Sequence, residues 1–261
     1  MKKLWISVLA VCLLTSLAGP LPAVEIGGQT IDITADFTYA TKYMWHGYDI
    51  FEGNGAFQPS LELGWNGFYT GFWTSYADTR GYDDLTEFDY YFGYGYTFFA
   101  EEQYAVEASV TYTYFDFPST SSWELDASEL AFAISMPNLI PLGPSNLVPG
   151  YTLYYDFDGK DSDIDDGFFQ TFSLSYSIPF QALIPEQEEQ SLDLFVDVTY
   201  DDGALGAQSG WSYSTIGAST TFEYKGFYFT PAIAYQYELD SGVSPAIEDD
   251  FYATFSIGYT F

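Results

Sequence analysis

From about residue 30 to its end, this chain alternates. Phe88, Tyr90, Phe92, Tyr94, Tyr96 and Phe98 fall on one parity, while Glu87, Asp89, Tyr91, Gly93, Gly95 and Thr97 fall on the other. A period of two is a β-strand with one apolar and one mostly polar face, and it excludes an amphipathic helix, whose apolar residues recur three and four apart. Twelve such segments follow one another, separated by turn-forming and acid-rich stretches. The first is expected over Ile31 to Trp45, with Tyr39, Thr41, Tyr43 and Trp45 on its apolar parity; the last is FYATFSIGYTF, Phe251 to Phe261. An even number of strands without helical periodicity predicts an all-β chain: one transmembrane antiparallel up-and-down β-barrel of about 12 strands, filling residues 24–261.

The connections sort into two classes. Asn66-Gly67 and Lys225-Gly226 are two-residue hairpin turns, and Ala100 to Gln103 with two proline-containing links complete that set. Loops rich in acid and glycine at 46 to 56, 77 to 84, 117 to 123, 158 to 167, 201 to 212 and 240 to 250 make the other. Tight turns at one end and longer loops at the other are the pattern of an outer-membrane barrel.

A secreted β-sandwich would alternate too, so the orientation of the apolar face has to be argued. With 21% Phe, Trp and Tyr, a shared sandwich core would be crowded with large rings. Facing lipid, the same rings need no interlocking partner, and aromatics favour both membrane interfaces. The other parity, which carries Asp32, Asp36, Glu62, Glu87, Asp89, Glu107, Glu129, Asp193 and Asp197, then lines a watery lumen.

Residues 1–23 read as a cleaved export signal: Lys2 and Lys3, an apolar run from Leu4 to Ala18, and a cut after Ala23. The single cysteine, Cys12, lies inside it, so the mature chain has neither disulfides nor thiolate metal sites. The whole chain sets 37 acidic residues against six basic ones, for a net charge of −31. That field excludes nucleic acid as a partner and attracts cations.

Two resemblances follow from particular residues. The terminal Phe261, with Tyr259 and further aromatics at alternate positions, resembles the C-terminal signal by which the barrel assembly machinery of Gram-negative bacteria recognises its clients. The stretch DFTYATKYMWHGYDIFEGNGAFQPSLELGWNGFYTGFWTSYAD, residues 36 to 78, resembles the start of the TorF-like porin family, in which an alternating strand ends in an aromatic-x-Arg-Gly element ahead of a Gln-Pro hairpin. Here His46 stands at the arginine position. The resemblance implies a porin-like barrel in the outer membrane, among outer-membrane lipids and lipopolysaccharide.

Three features carry candidate chemistry. Asp89, Glu107, Asp193, Asp197, Glu129 and Glu87 are the expected acidic pore lining, since carboxylates at a constriction concentrate cations and repel anions. DFDGKDSDIDDG gathers Asp156, Asp158, Asp161, Asp163, Asp165 and Asp166 in what reads as one surface loop, a candidate for weak divalent cations that could bridge lipopolysaccharide phosphates. It is no EF-hand, because Asp166 stands where glycine is needed and Phe172 where glutamate is needed. His46, the only histidine, has no serine near it in sequence, and no spacing supports a zinc site from it and carboxylates. No catalysis and no cofactor are expected. Inward aromatics at Tyr91, Phe169, Phe195 and Tyr228 are expected to narrow or plug the lumen rather than bind sugars or nucleosides.

The expected function is passive diffusion of small solutes with a preference for cations, through a bore kept narrow by the modest strand number. The alternative is a structural or adhesive surface barrel with a closed lumen and divalent-cation-binding acidic loops. Oligomeric state is not legible in the sequence.

Overall fold

The structure, a computed structural model, describes residues 24–26, 29–118, 125–158, 166–185, 187 and 189–261. The segment expected to be an export signal, 1–23, lies outside these residues. Twelve strands form the wall: β1 (Gln29–Ala40), β2 (Ala56–Trp65), β3 (Phe68–Ala77), β4 (Glu87–Phe98), β5 (Val106–Asp116), β6 (Ala127–Ser135), β7 (Ser145–Asp158), β8 (Gly167–Phe180), β9 (Gln190–Asp202), β10 (Gly210–Ser219), β11 (Phe227–Glu238) and β12 (Asp250–Thr260). Each pairs antiparallel with its neighbours in sequence, and β12 pairs with β1 from Thr254↔Ala40 to Thr260↔Thr34, so no edge is left open. At nine to fourteen residues, the strands are long enough to cross a bilayer when tilted.

The apolar parity is outside. Phe92 is 61% exposed, Phe251 60% and Ile216 54%, whereas Glu87 and Asp89 on the other parity are 3% and 8% exposed. In a soluble sheet those values would be exchanged, so the outer belt is the surface that meets hydrocarbon. Toward the tight-turn end the belt becomes aromatic: Phe68 packs on Tyr94 at 4.6 Å, Phe99 on Tyr104 at 5.3 Å, and Phe227 on Tyr259 at 4.6 Å between ring centroids.

Local chemistry sets the turns. Asn66 and Gly67 (φ 52° and 82°), like Lys225 and Gly226 (51° and 84°), hold the left-handed pair that a two-residue hairpin needs. The first proline-rich link hides a small hairpin in which 140–142 pairs with 145–147. Pro59 sits in β2 where the ladder to β3 is interrupted between Phe57↔Tyr76 and Ser60↔Trp73, the position at which its missing N–H costs least.

One expected strand is shorter than its alternation. β1 stops at Ala40 rather than Trp45, because the Thr41 side chain takes over the pairing: the Ala253 N–H donates to Thr41 Oγ1 at 2.8 Å. From there the chain turns into the barrel, so Thr41, Tyr43 and Trp45 leave the lipid-facing parity, and Tyr43 is only 6% exposed.

Candidate functional site

The segment from Thr41 to Gly55 folds inward as a miniature hairpin. Met44 and Trp45 pair with Tyr48 and Asp49, and His46-Gly47 form the turn at φ 45° and 90°. Histidine tolerates the left-handed region better than most residues, and Gly47 is required on two counts. Its φ is positive, and a Cβ there would collide with the Tyr213 ring. Phe51 and Tyr43 bury the base of the hairpin against Ala40 and Ala56. Lys42 bridges Asp49, at 3.5 Å, and Asp250. The last loop closes over the hairpin: Ser244 Oγ bonds the Tyr48 hydroxyl at 3.1 Å, and Ile247 is almost fully buried.

His46, at the tip, lies in the loop half of the lumen. Its Nε2 is 2.7 Å from Glu129 Oε2. Phe169 stacks flat on the ring (4.2 Å, 10°), and Trp45 and Tyr154 pack edge-on, each at 4.8 Å. Burial lowers the imidazole pKa, but the hydrogen bond and charge of Glu129, joined by the charges of Asp156 and Asp201, outweigh it, so the pKa is raised. Beside it the Tyr43 hydroxyl donates to Glu87 Oε2 at 2.7 Å. A cavity of about 500 Å³ adjoins the hairpin, bounded by His46, Trp73, Asp89, Tyr91, Glu129 and Tyr213.

The six acids expected to line a pore do not form one ring. Glu87, Asp89 and Glu129 gather around the hairpin in the loop half. Asp197, on β9, accepts the Thr215 N–H at 3.1 Å. Glu107 and Asp193 belong to the tight-turn half, where they accept the hydroxyls of Ser135 (3.0 Å) and Ser191 (2.8 Å). Two cavities occupy that half: one of about 770 Å³ beside Glu107, Ser109, Ser135 and Thr152, and one of about 710 Å³ beside Asp193, Ser177 and Ser191.

The proposed acidic surface loop is divided. Asp156 is not in it: it lies on β7 opposite Glu129, 2% exposed, because its parity points inward. Asp166 accepts the Tyr155 hydroxyl at 3.1 Å. The Asp158 side chain and Asp161, Asp163 and Asp165 lie outside the described residues.

Inward aromatics follow one rule that the sequence reading missed. Tyr91 lies over Gly71, Tyr69 over Gly93, Tyr228 over Gly258 and Phe195 over Gly217; each ring covers the glycine directly opposite on the next strand. The ring needs a neighbour with no side chain to lie flat. Three tyrosines then reach the strand beyond: Tyr91 donates to Glu62 at 3.0 Å, Tyr228 donates to Asp36 at 2.8 Å, and the Tyr69 hydroxyl bonds that of Thr111 at 2.5 Å. These rings therefore pave the wall instead of plugging the lumen; Phe169 instead packs against His46.

Asp201 is a further residue that the sequence reading assigned to a loop. It is fully buried at the end of β9, and its signal was the same-parity series Asp193, Asp197, Asp201. His46 had a signal as well: a His-Gly pair inside YMWHGYD is a hairpin turn in miniature.

No family model matches the chain, and no curated protein is similar to it. Solved structures of similar overall shape include a KdgM porin in complex with disordered oligogalacturonate (7% identity, TM-score 0.47, covering 87% of this chain and 98% of that one). A NanC porin (12%, 0.43, 89% and 99%) and LpxR from Salmonella typhimurium (10%, 0.44, 87% and 100%) are also among them.

Proposed function

We propose that this barrel is an outer-membrane channel for the passive diffusion of small solutes, selective for cations, working without covalent chemistry. The observation that carries this reading is the inner wall itself. It is polar along both halves, holds large cavities at the tight-turn end, and carries carboxylates at both levels: Glu107 and Asp193 in the tight-turn half, Glu87, Asp89 and Glu129 at the hairpin. A constriction bordered by acids raises the local concentration of cations and opposes anions. The likeness of residues 36 to 78 to TorF-like porins supports the same function and a place in a Gram-negative outer membrane, with Phe261 and Tyr259 read by the barrel assembly machinery.

The inserted hairpin narrows the loop half, and the carboxylates at both levels share the selection. Reconstitution in a planar bilayer under a KCl gradient tests this. A cation-directed reversal potential is expected, weakened in a Glu107→Gln, Asp193→Asn double variant. An anion-directed potential overturns the charge argument, and lack of conductance from a correctly folded barrel leaves the structural reading in its place.

A further inference from the structure

Around His46, negative charge exceeds the donors available to it. Asp156 is 2% exposed, and neither of its carboxylate oxygens has a hydrogen-bond partner among the described residues. Asp201 Oδ2, on a fully buried side chain, lacks one as well. Buried carboxylates are stable when they are paired with cations or bound to metal, and unfavourable when left alone. One ligand atom from each of His46, Glu129 and Asp156 lies within 4.8 Å of the other two.

The three come from rigid supports. Glu129 and Asp156 face each other directly across β6 and β7, on a wall that closes on itself. His46 is fixed by the turn of its hairpin, and its ring plane is set by Phe169, which leaves Nε2 directed at Glu129. An imidazole nitrogen with two carboxylates suits zinc and other transition metals better than calcium or magnesium, which favour all-oxygen sets. A dication bound by neutral imidazole and two carboxylates also leaves no net charge among its ligands.

We propose that His46 Nε2 and one oxygen each from Glu129 and Asp156 bind a single divalent transition-metal cation, which ties the tip of the inserted hairpin to the barrel wall. Asp156 then has the partner it lacks among the described residues, and Asp201 adds negative charge from the next strand but one. The metal would act as a bolt between the inserted hairpin and the barrel wall. This inference does not rest on the channel reading, and its test involves no conductance.

The full barrel, folded in detergent, stripped with chelator and desalted, is titrated with Zn²⁺ by calorimetry in excess Ca²⁺, which occupies the exposed acids. One saturable site per chain is expected, weakened at least tenfold in His46→Gln and in Asp156→Asn and unchanged in the exposed control Glu101→Gln. Heat-dependent gel mobility verifies that each variant is folded. Should either variant fail to fold, Co²⁺ added to the wild-type barrel gives a second readout: a visible absorption band that Zn²⁺ displaces supports the site. Zn²⁺ affinity shared equally by wild type and His46→Gln, or the lack of a displaceable Co²⁺ band, overturns the proposal.

Discussion

Gln236, 1% exposed on β11, donates its side-chain amide to the Gly47 carbonyl at 2.7 Å, joining residues 189 apart in sequence. The same nitrogen donates to the Glu248 carbonyl at 3.1 Å. A single amide therefore holds both the inserted hairpin and the loop that covers it. Gln236→Leu keeps the volume and leaves two carbonyls unsatisfied, which costs about 1–3 kcal/mol. The expected result is a lower urea midpoint in detergent and faster proteolysis between Thr41 and Gly55, read by limited digestion.

Gly47 and Gly53 both have positive φ, at 90° and 88°, yet differ in their surroundings. A Cβ at Gly47 meets Tyr213 and Ile247, whereas at Gly53 it meets nothing within 4 Å. Gly53→Ala should cost about 1 kcal/mol for backbone strain alone. Gly47→Ala should cost at least twice that and displace His46, a difference that paired urea unfolding curves measure directly. Equal costs would mean that the hairpin does not pack as described.

Lys42 gives the hairpin a pH dependence. Burial lowers its pKa, but the hydrogen bond and charge of Asp250, with the charge of Asp49, outweigh this and raise it above 10.5. A raised lysine pKa means that the ion pairs contribute fully below the ordinary value and are lost as pH climbs through the folded-state value. Protease sensitivity of the hairpin should therefore show a rise above the ordinary lysine value of about 10.4, separate from any change that His46 makes at lower pH. In Lys42→Met that alkaline rise should vanish, with sensitivity already elevated at neutral pH.

Gly71 lets Tyr91 lie flat and reach Glu62. Gly71→Ala puts a methyl group under the ring and should swing Tyr91 off the wall into the lumen. Single-channel conductance of the reconstituted variant should fall, while Gly81→Ala, in a surface loop with nothing within 4 Å of the added carbon, leaves it unchanged.

The wall of this barrel was legible because lipid and water sort side chains by parity, and parity is written residue by residue. Phe92 and Phe251 could be placed outside and Glu87 and Asp89 inside from alternation alone. The hairpin was not legible, because Thr41, Tyr43 and Trp45 continue the apolar parity of β1 beyond the point where the strand ends. A buried tyrosine that donates to Glu87 and a lipid-facing tyrosine look alike in sequence. Asp156 was misread for the opposite reason: its acidic neighbours suggested a solvated loop, although its own position belonged to a strand. What distinguishes these cases is contact across the lumen, between residues that no local pattern connects.

The seam between the first and last strands has a consequence in time. Thr38 and Ser256 join hydroxyls across 218 residues of sequence, and Lys42 binds Asp250 just beyond the seam. The strand that delivers His46 to the lumen is thus anchored by β12, whose residues lie 218 positions further along the chain at this contact. Contacts this distant form late in folding. The hairpin cannot settle in place until β12 has docked on β1, so a chain in which that seam is open would present an unclosed sheet with its histidine still outside.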